Sequence, residues 1–310
     1  MPVGVGVGVS VPATSANLGP GYDSFGVALD IPLVAVSVTR GEQRVTARGL
    51  GAGELPTGDE NLVWRAVEAW CAFAGTQVPD VSILVDSAIP LERGMGSSSA
   101  AAVAGLLLGR ALTGGRAATA EQVLALATEL EGHPDNAAAA IAGGLVACDP
   151  DGGFVRVTPS EGLRPVVLVP TQRQATSEAR AALPVDIPLR VAAANGGRAA
   201  ATFAGLAGLI PLRAVDMTDQ LHEPARLGLM PTSQRLVDGL RDAGLPCALS
   251  GAGPSVLVVL PSHDQPAVDR LRDLVGELLE DPSAVEVVPT AWHLAGADVC
   301  PPQMAFGPPV

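Results

Sequence analysis

Apolar and small residues alternate with period two from Val3 to Val11 (VGVGVGVSV), which predicts a strand in spite of the glycines. Ile31–Thr39 (IPLVAVSVT) and Val81–Asp86 (VSILVD) predict two more. Between them the period changes: Leu62, Val63, Val67 and Trp70 recur at helical spacing within Asn61–Ala74. Ser97–Leu112 opens on serines and is then apolar on every side, the pattern of a helix buried on all faces. Thr119–Leu130 predicts another helix, with Ala120 and Glu121 in its first turn. The Gly/Asp cluster Asp149–Gly153 (DPDGG) breaks the pattern and predicts a domain boundary near residues 150–160, with domains at 1–155 and 156–310.

The second half is mixed as well. Pro165–Pro170 (PVVLVP) predicts a strand, Ser177–Ala182 a short helix, and Leu189–Leu209 a longer one. Thr232–Ala243 predicts a helix, Ala248–Leu260 contains a strand after a Gly-rich turn, Asp264–Leu279 is an amphipathic helix, and Ala284–Pro289 a strand. The Pro-rich tail Val299–Val310 reads as loop or surface extension. Strands interleaved with helices allow α/β or α+β, and short antiparallel-type strands favour α+β.

Length and charge narrow the classes of function. The 310 residues suit two domains or one large one, and 48% hydrophobic residues are far too many for a disordered chain. All 19 basic residues are arginine, against 32 acidic ones, a formal charge of −13. An acidic chain without a basic tract is a poor nucleic-acid or anionic-membrane binder, and both classes are set aside. The first basic residue is Arg40, so no positively charged leader precedes the first strand. The uncharged runs Ala100–Gly109 and Ala137–Cys148 fall short of the roughly 20 residues that span a bilayer. Cys71, Cys148, Cys247 and Cys300 are scattered, which predicts free thiols and a cytoplasmic protein.

The candidate chemistry starts at Pro90–Ala100 (PLERGMGSSSA), two glycines and three serines ahead of a buried helix. Glycine backbones approach a ligand closely, and the first-turn amides of the helix are unpaired donors at its positive end. Such a loop suits phosphates, with a serine hydroxyl for phosphate or Mg2+. It is neither a Walker A loop, which needs a lysine this chain lacks, nor a dinucleotide fingerprint. Two further segments accompany it. Val11–Gly26 (VPATSANLGPGYDSFG) sets Thr14–Asn17 before a Gly19-Pro20-Gly21 turn and Asp23, and Ser250–Ser255 (SGAGPS) is a third Gly-rich turn.

Three such segments in this order resemble the signature motifs of the GHMP small-molecule kinase superfamily, and within it the homoserine kinase family. Glu131–Gly144 (EGHPDNAAAAIAGG), Thr176–Arg180, Asn195–Arg198 and His222–Arg226 are similar to further motifs of that family, and the likeness runs from about Val3 to about Pro261. The resemblance implies a two-domain α+β fold with a ribosomal-protein-like N-terminal domain, a ferredoxin-like C-terminal domain and a site between them. It implies phosphoryl transfer from ATP to the side-chain hydroxyl of L-homoserine, giving O-phospho-L-homoserine on the route to threonine.

By that resemblance Pro90, Leu91, Glu92, Arg93, Gly94, Met95, Gly96, Ser97, Ser98, Ser99 and Ala100 would hold ATP, with Asn61 on the adenine side or acting as a helix cap. Ser98 and Glu131 would hold Mg2+. Arg180 and Arg226 would grip the substrate carboxylate, because a guanidinium fork matches a carboxylate. Asn17, Asp23 and His133 would surround the ammonium and hydroxyl, with Asp23 either a base or only a holder, while Asp135 and Asn136 read as helix caps. Residue 99 is Ser where the family usually has Ala, and residue 22 is Tyr where Phe is usual. A homodimer is compatible with the family. Other GHMP kinases acting on mevalonate, a sugar or an amino alcohol, and a GHMP-fold protein without catalysis, are the competing readings.

Overall fold

The computed structural model describes residues 6–39, 45–114, 117–261 and 265–301. The first strand, β1 (Gly8–Ala16), starts later than its pattern suggested and absorbs Thr14, Ser15 and Ala16; Val3–Val5 lies outside the described residues. β2 (Phe25–Thr39) begins six residues before the predicted Ile31 and pairs antiparallel with all of β1, across a register shift at Pro12/Ala13. β3 (Val45–Gly49) runs parallel to β4 (Val81–Ser87), and α1 (Leu62–Ala74) lies between them in sequence.

α2 (Ser97–Leu112) has the predicted bounds, and its residues Ala102–Gly109 are all buried. It packs on α1, β1, α3 (Ala120–Glu131) and α4 (Asp135–Ala142), which is why no face of it is polar. Burying a leucine fully contributes about 1.5–3 kcal/mol, so Leu106, Leu107 and Leu108 anchor this half strongly. β5 (Leu145–Cys148) and β6 (Phe154–Val157) form a hairpin on the early part of β2. The DPDGG cluster is the turn of that hairpin, closed by Asp149 N donating to Gly153 O at 2.7 Å. It therefore sits inside the first sheet, and the division expected at 155/156 falls within β6.

β7 (Arg164–Pro170) opens the second sheet, followed by α5 (Thr176–Ala181), α6 (Leu189–Leu206), the short α7 (Glu223–Leu227) and α8 (Pro231–Asp242). β8 (Cys247–Leu249) and β9 (Val256–Leu260) flank the SGAGPS turn; α9 (Gln265–Leu278) and β10 (Val285–Pro289) follow, Asp264 lying outside the described residues. The antiparallel order is β10-β7-β9-β8. Its inner strands β7 and β9 are apolar almost without alternation because both faces are covered. Val166, Leu168, Val256 and Val258 meet α8 and α9, while Val167, Val169, Leu257 and Val259 join the core beneath the first sheet.

The tail expected to be loop instead supplies β11 (Asp298–Cys300), antiparallel to the start of β1; residues 302–310 lie outside the description. The first sheet is thus ordered β11-β1-β2-β4-β3, with β5 and β6 branching from β2. Helices on two largely antiparallel sheets make the fold α+β, as predicted. Among the described residues no helix is long and apolar enough to cross a membrane, and all four cysteines are free.

Candidate active site

β4 leads into the Gly-rich loop, and the loop into α2. Gly94 (φ 71°) and Gly96 (φ 70°) take left-handed conformations where a side chain could not fit. A Cβ on Gly94 would strike the Ser250 carbonyl, and one on Gly96 the Thr14 hydroxyl. Met95 between them is buried and its carbonyl accepts from Thr14 N at 3.1 Å, which fastens the loop to β1. No side chain caps α2, whose N-cap is Gly96, so the positive end of a buried 16-residue helix is left for a ligand. The SGAGPS turn braces the loop from behind: Ser250 Oγ donates to Gly94 O (2.7 Å) and Ser255 N to Arg93 O (3.2 Å).

Glu131, the last residue of α3, receives two hydroxyls on one oxygen, Ser98 at 2.6 Å and Ser99 at 2.9 Å. The serine at 99 therefore adds a second donor to the carboxylate. Among the described residues no group of three or more His, Cys, Asp or Glu side chains could hold a metal. One carboxylate and a hydroxyl beside a phosphate loop fit a Mg2+ that keeps water and shares phosphate oxygens, and do not fit an all-protein zinc cage.

Farther along the cleft the segment after β1 is held in a strained shape. Asn17, Leu18 and Asp23 all have positive φ (65°, 51° and 51°). Asn17 Oδ1 accepts from Asp23 N at 3.0 Å and Asn17 Nδ2 donates to Gly251 O at 2.7 Å, which pins the turn to the second half of the chain. Asn195 on α6 holds the same turn by donating to Pro20 O at 2.9 Å, so its motif positions rather than contacts.

Arg180 on α5 forks onto Asp23: Nη1 to Oδ2 and Nη2 to Oδ1, both 3.0 Å, with Nη1 also donating to the Tyr22 hydroxyl at 3.0 Å. The Asp23 hydrogen bond raises the Arg180 pKa above its ordinary value. Arg226 on α7 is different. It is 2% exposed, and among the described residues it makes no ion pair with a carboxylate and its Nε has no hydrogen-bond partner. Its Nη1 donates only to Gly251 O and His222 Nδ1, each at 3.2 Å, and burial pulls its pKa down. Because His222 Nδ1 accepts from Arg226, the ring proton sits on Nε2 and is donated to Gly19 O at 2.9 Å. Burial holds this histidine neutral. Both guanidiniums lie over the Tyr22 ring, Arg180 Cζ at 5.8 Å and Arg226 Cζ at 5.4 Å from its centre.

His133 meets Asp135 through Nδ1 at 3.1 Å. Burial disfavours its charged form, but the Asp135 bond and the Asp135 and Glu131 charges outweigh that and raise its pKa. Asp135 and Asn136, read as caps, are instead the first two residues of α4, whose N-cap position is Pro134 and carries no side-chain cap bond; Asp135 orients His133, and Asn136 Oδ1 accepts from the Thr14 hydroxyl at 2.7 Å.

A cleft of about 610 Å³ joins these parts, lined by Asn17, Asp23, Asn61, the run from Pro90 to Ser98, His133, Arg180 and Arg226. Ser99 and Ala100 are buried behind the loop rather than lining it. Its apolar end comprises Leu33, Leu55, Pro56, Leu62, Val63 and Val85. Asn61 stands there as the N-cap of α1: Oδ1 accepts from Val63 N (2.9 Å) and Nδ2 donates to Pro56 O (2.7 Å). Glu54 and Arg173, which the sequence motifs did not include, also line the cleft. Thr14, Tyr22 and His222 stand within motifs quoted from the sequence, but their contacts to Asn136, Arg180 and Arg226 were not legible there.

Residues 61–144 match the family model for the GHMP kinases N terminal domain, and residues 200–277 that for the GHMP kinases C terminal domain. A homoserine kinase of Leifsonia xyli is 42% identical over 269 residues, 84% of this chain and 83% of that protein. One from Streptomyces avermitilis is 39% identical over 277 residues, 87% of this chain and 90% of its own. The solved homoserine kinase of Cytophaga hutchinsonii superposes with a TM-score of 0.80 at 26% identity, covering 97% of this chain and 99% of that one. A mevalonate kinase shares the fold alone, with a TM-score of 0.66 at 13% identity over 92% of this chain and 99% of its own.

Proposed function

The chain belongs to the homoserine kinase family of the GHMP kinases, and from that premise we propose that it transfers the γ-phosphoryl group of ATP to the side-chain hydroxyl of L-homoserine. The observation that carries the substrate assignment is the buried, carboxylate-free guanidinium of Arg226 next to the exchangeable Arg180–Asp23 pair. An amino-acid zwitterion satisfies both. Its carboxylate takes Arg226 and draws Arg180, and its ammonium takes the Asp23 carboxylate and the Asn17 carbonyl side. His133, oriented by Asp135, lines the same end of the cleft and serves the hydroxyl.

In the transfer the homoserine oxygen bonds to the γ-phosphorus as the bridging oxygen of ATP leaves with its electron pair, and the hydroxyl proton passes to an oxygen of the transferred phosphoryl group and from there to solvent. The loose transition state needs in-line positioning and neutralised charge more than covalent help. Gly94 to Ser98 supply loop amides and the α2 N-terminus to the phosphates. Ser98 and Glu131 would hold Mg2+ there, and the ion would supply neutralisation of phosphate charge. Asp23, with both oxygens on Arg180 in the free protein, acts in this reading as substrate holder and not as an obligatory base. The product, O-phospho-L-homoserine, belongs to threonine biosynthesis, and a cytoplasmic enzyme is part of this reading.

An ATP-coupled assay across L-homoserine, L-threonine, L-serine and mevalonate tests the proposal. Magnesium-dependent turnover of L-homoserine above the others is expected. Turnover of another alcohol with none of L-homoserine overturns the substrate assignment.

A further inference from the structure

The cleft is lined by Arg93, Arg173, Arg180 and Arg226 among the described residues. The last two stand at the amino-acid end. Beside the loop amides, the only permanently charged side-chain cation this lysine-free chain can offer a triphosphate at the other end is arginine. Arg93 is tied down: Nη2 donates to Thr171 O at 2.6 Å and Nη1 to Leu91 O at 3.5 Å, so it stitches the loop to the strand exit. Arg173 has no such anchor on the backbone. It sits on the strap between β7 and α5, beside Gln174, whose N donates to the Glu92 carbonyl of the phosphate loop at 3.1 Å. Its guanidinium forks onto Glu54 on the opposite lip, Nη1 to Oε2 and Nη2 to Oε1, the latter at 2.6 Å, and lies 3.9 Å from Glu92 Oε2. Both partners are about half exposed, at 44% and 48%. Exposed ion pairs contribute little to stability and exchange readily.

We propose that Arg173 is a nucleotide-binding residue of this enzyme, parked on Glu54 across the mouth of the cleft in the free protein and exchanged onto the phosphates of ATP when nucleotide enters. The proposal rests on the kinase reading above and adds to it a phosphate ligand outside the Gly-rich loop. Glu54 is then a competitor for the nucleotide and not a brace. That gives the two members of one ion pair opposite effects. A merely structural latch would shift both variants the same way.

The test is equilibrium binding of a non-hydrolysable ATP analogue with Mg2+ to the full chain, paired with steady-state kinetics. Arg173→Ala is expected to weaken analogue binding and raise the ATP KM by about 5- to 20-fold, the loss of a partly exposed charge-assisted contact. Arg173→Lys recovers part of that, and Glu54→Gln tightens binding by about twofold or more. The homoserine KM stays at the wild-type value in all three. Both sites are exposed, so folding is checked simply by thermal unfolding. If wild type binds the analogue and Arg173→Ala binds it equally, or Glu54→Gln weakens it as Arg173→Ala does, the assignment is overturned. If wild type itself binds no nucleotide, the kinase reading fails instead.

Discussion

Replacing Arg226 by methionine separates function from stability. The guanidinium is almost fully buried and pairs with no carboxylate among the described residues, and withdrawing an unpaired cation from water costs several kcal/mol even after relaxation. Against that stand two hydrogen bonds at 3.2 Å and a cation–π contact with Tyr22. The Gly251 carbonyl keeps Asn17 Nδ2 at 2.7 Å, so methionine strands only His222 Nδ1, a loss of about 1–2 kcal/mol. The Tyr22 contact adds about 1 kcal/mol. The balance leaves Arg226→Met between unchanged and about 2 kcal/mol more stable, a Tm higher by at most a few degrees in a chain of this size. Homoserine use moves the other way. Loss of a desolvated carboxylate contact of about 2–4 kcal/mol lowers kcat/KM roughly 30- to 1000-fold, with the ATP KM near wild type. Saturating homoserine raises the Tm of wild type and not of the variant. Thermal unfolding with and without homoserine, alongside steady-state kinetics, checks each part. Wild-type homoserine kinetics would refute the substrate role, and a Tm fall of more than about 5 °C would show the guanidinium to be structural.

Three other outcomes follow from the same geometry. Ser98→Ala and Glu131→Gln raise the Mg2+ concentration needed for half-maximal rate and lower kcat by about tenfold or more; unchanged magnesium titrations in both would remove the metal assignment. Because Asp135 and Glu131 raise His133 above its unfolded value, its protonation stabilises the fold fully below about pH 6.5, and that contribution fades as pH rises through the raised folded value. Urea midpoints of wild type and His133→Gln should therefore converge with rising pH, and the His133 ring resonance should titrate lower in Asp135→Asn. Burial pushes the Cys148 and Cys247 thiols up to about 12, so both resist iodoacetamide at pH 8 in the native protein and react only after denaturation; rapid native labelling of Cys247 would contradict its burial.

Much of this molecule is local in origin, and that part was legible. α2 could be bounded at Ser97 and Leu112 because a run apolar on every side has one stable environment, the interior. PVVLVP and SVLVVL read as strands from their apolar runs, and the structure covers both of their faces. The phosphate loop was legible because glycine and an uncapped helix start carry their meaning in the backbone itself. Periodicity, however, reports only which side of a short segment is buried, not what buries it. The DPDGG cluster could be a linker or a hairpin turn, and only the pairing of β5 with β6 decided for the turn. The Pro-rich tail gave no sign that Asp298–Cys300 would pair with β1, since edge pairing is closed by contacts almost 300 residues apart. Polar roles depend on partners still more. Two arginines of like sequence context end oppositely, Arg180 forked onto Asp23 and half exposed, Arg226 buried without an anion, because folding brings a carboxylate to one and not to the other. Arg173 and Glu54, 119 residues apart, meet only because two loops face each other across the cleft. The sequence by itself determined which segments are buried and where the backbone can bind an anion. The tertiary structure alone decided which charges are neutralised and which wait for substrate, because a charge's free energy depends on burial and on partners the chain brings together only on folding.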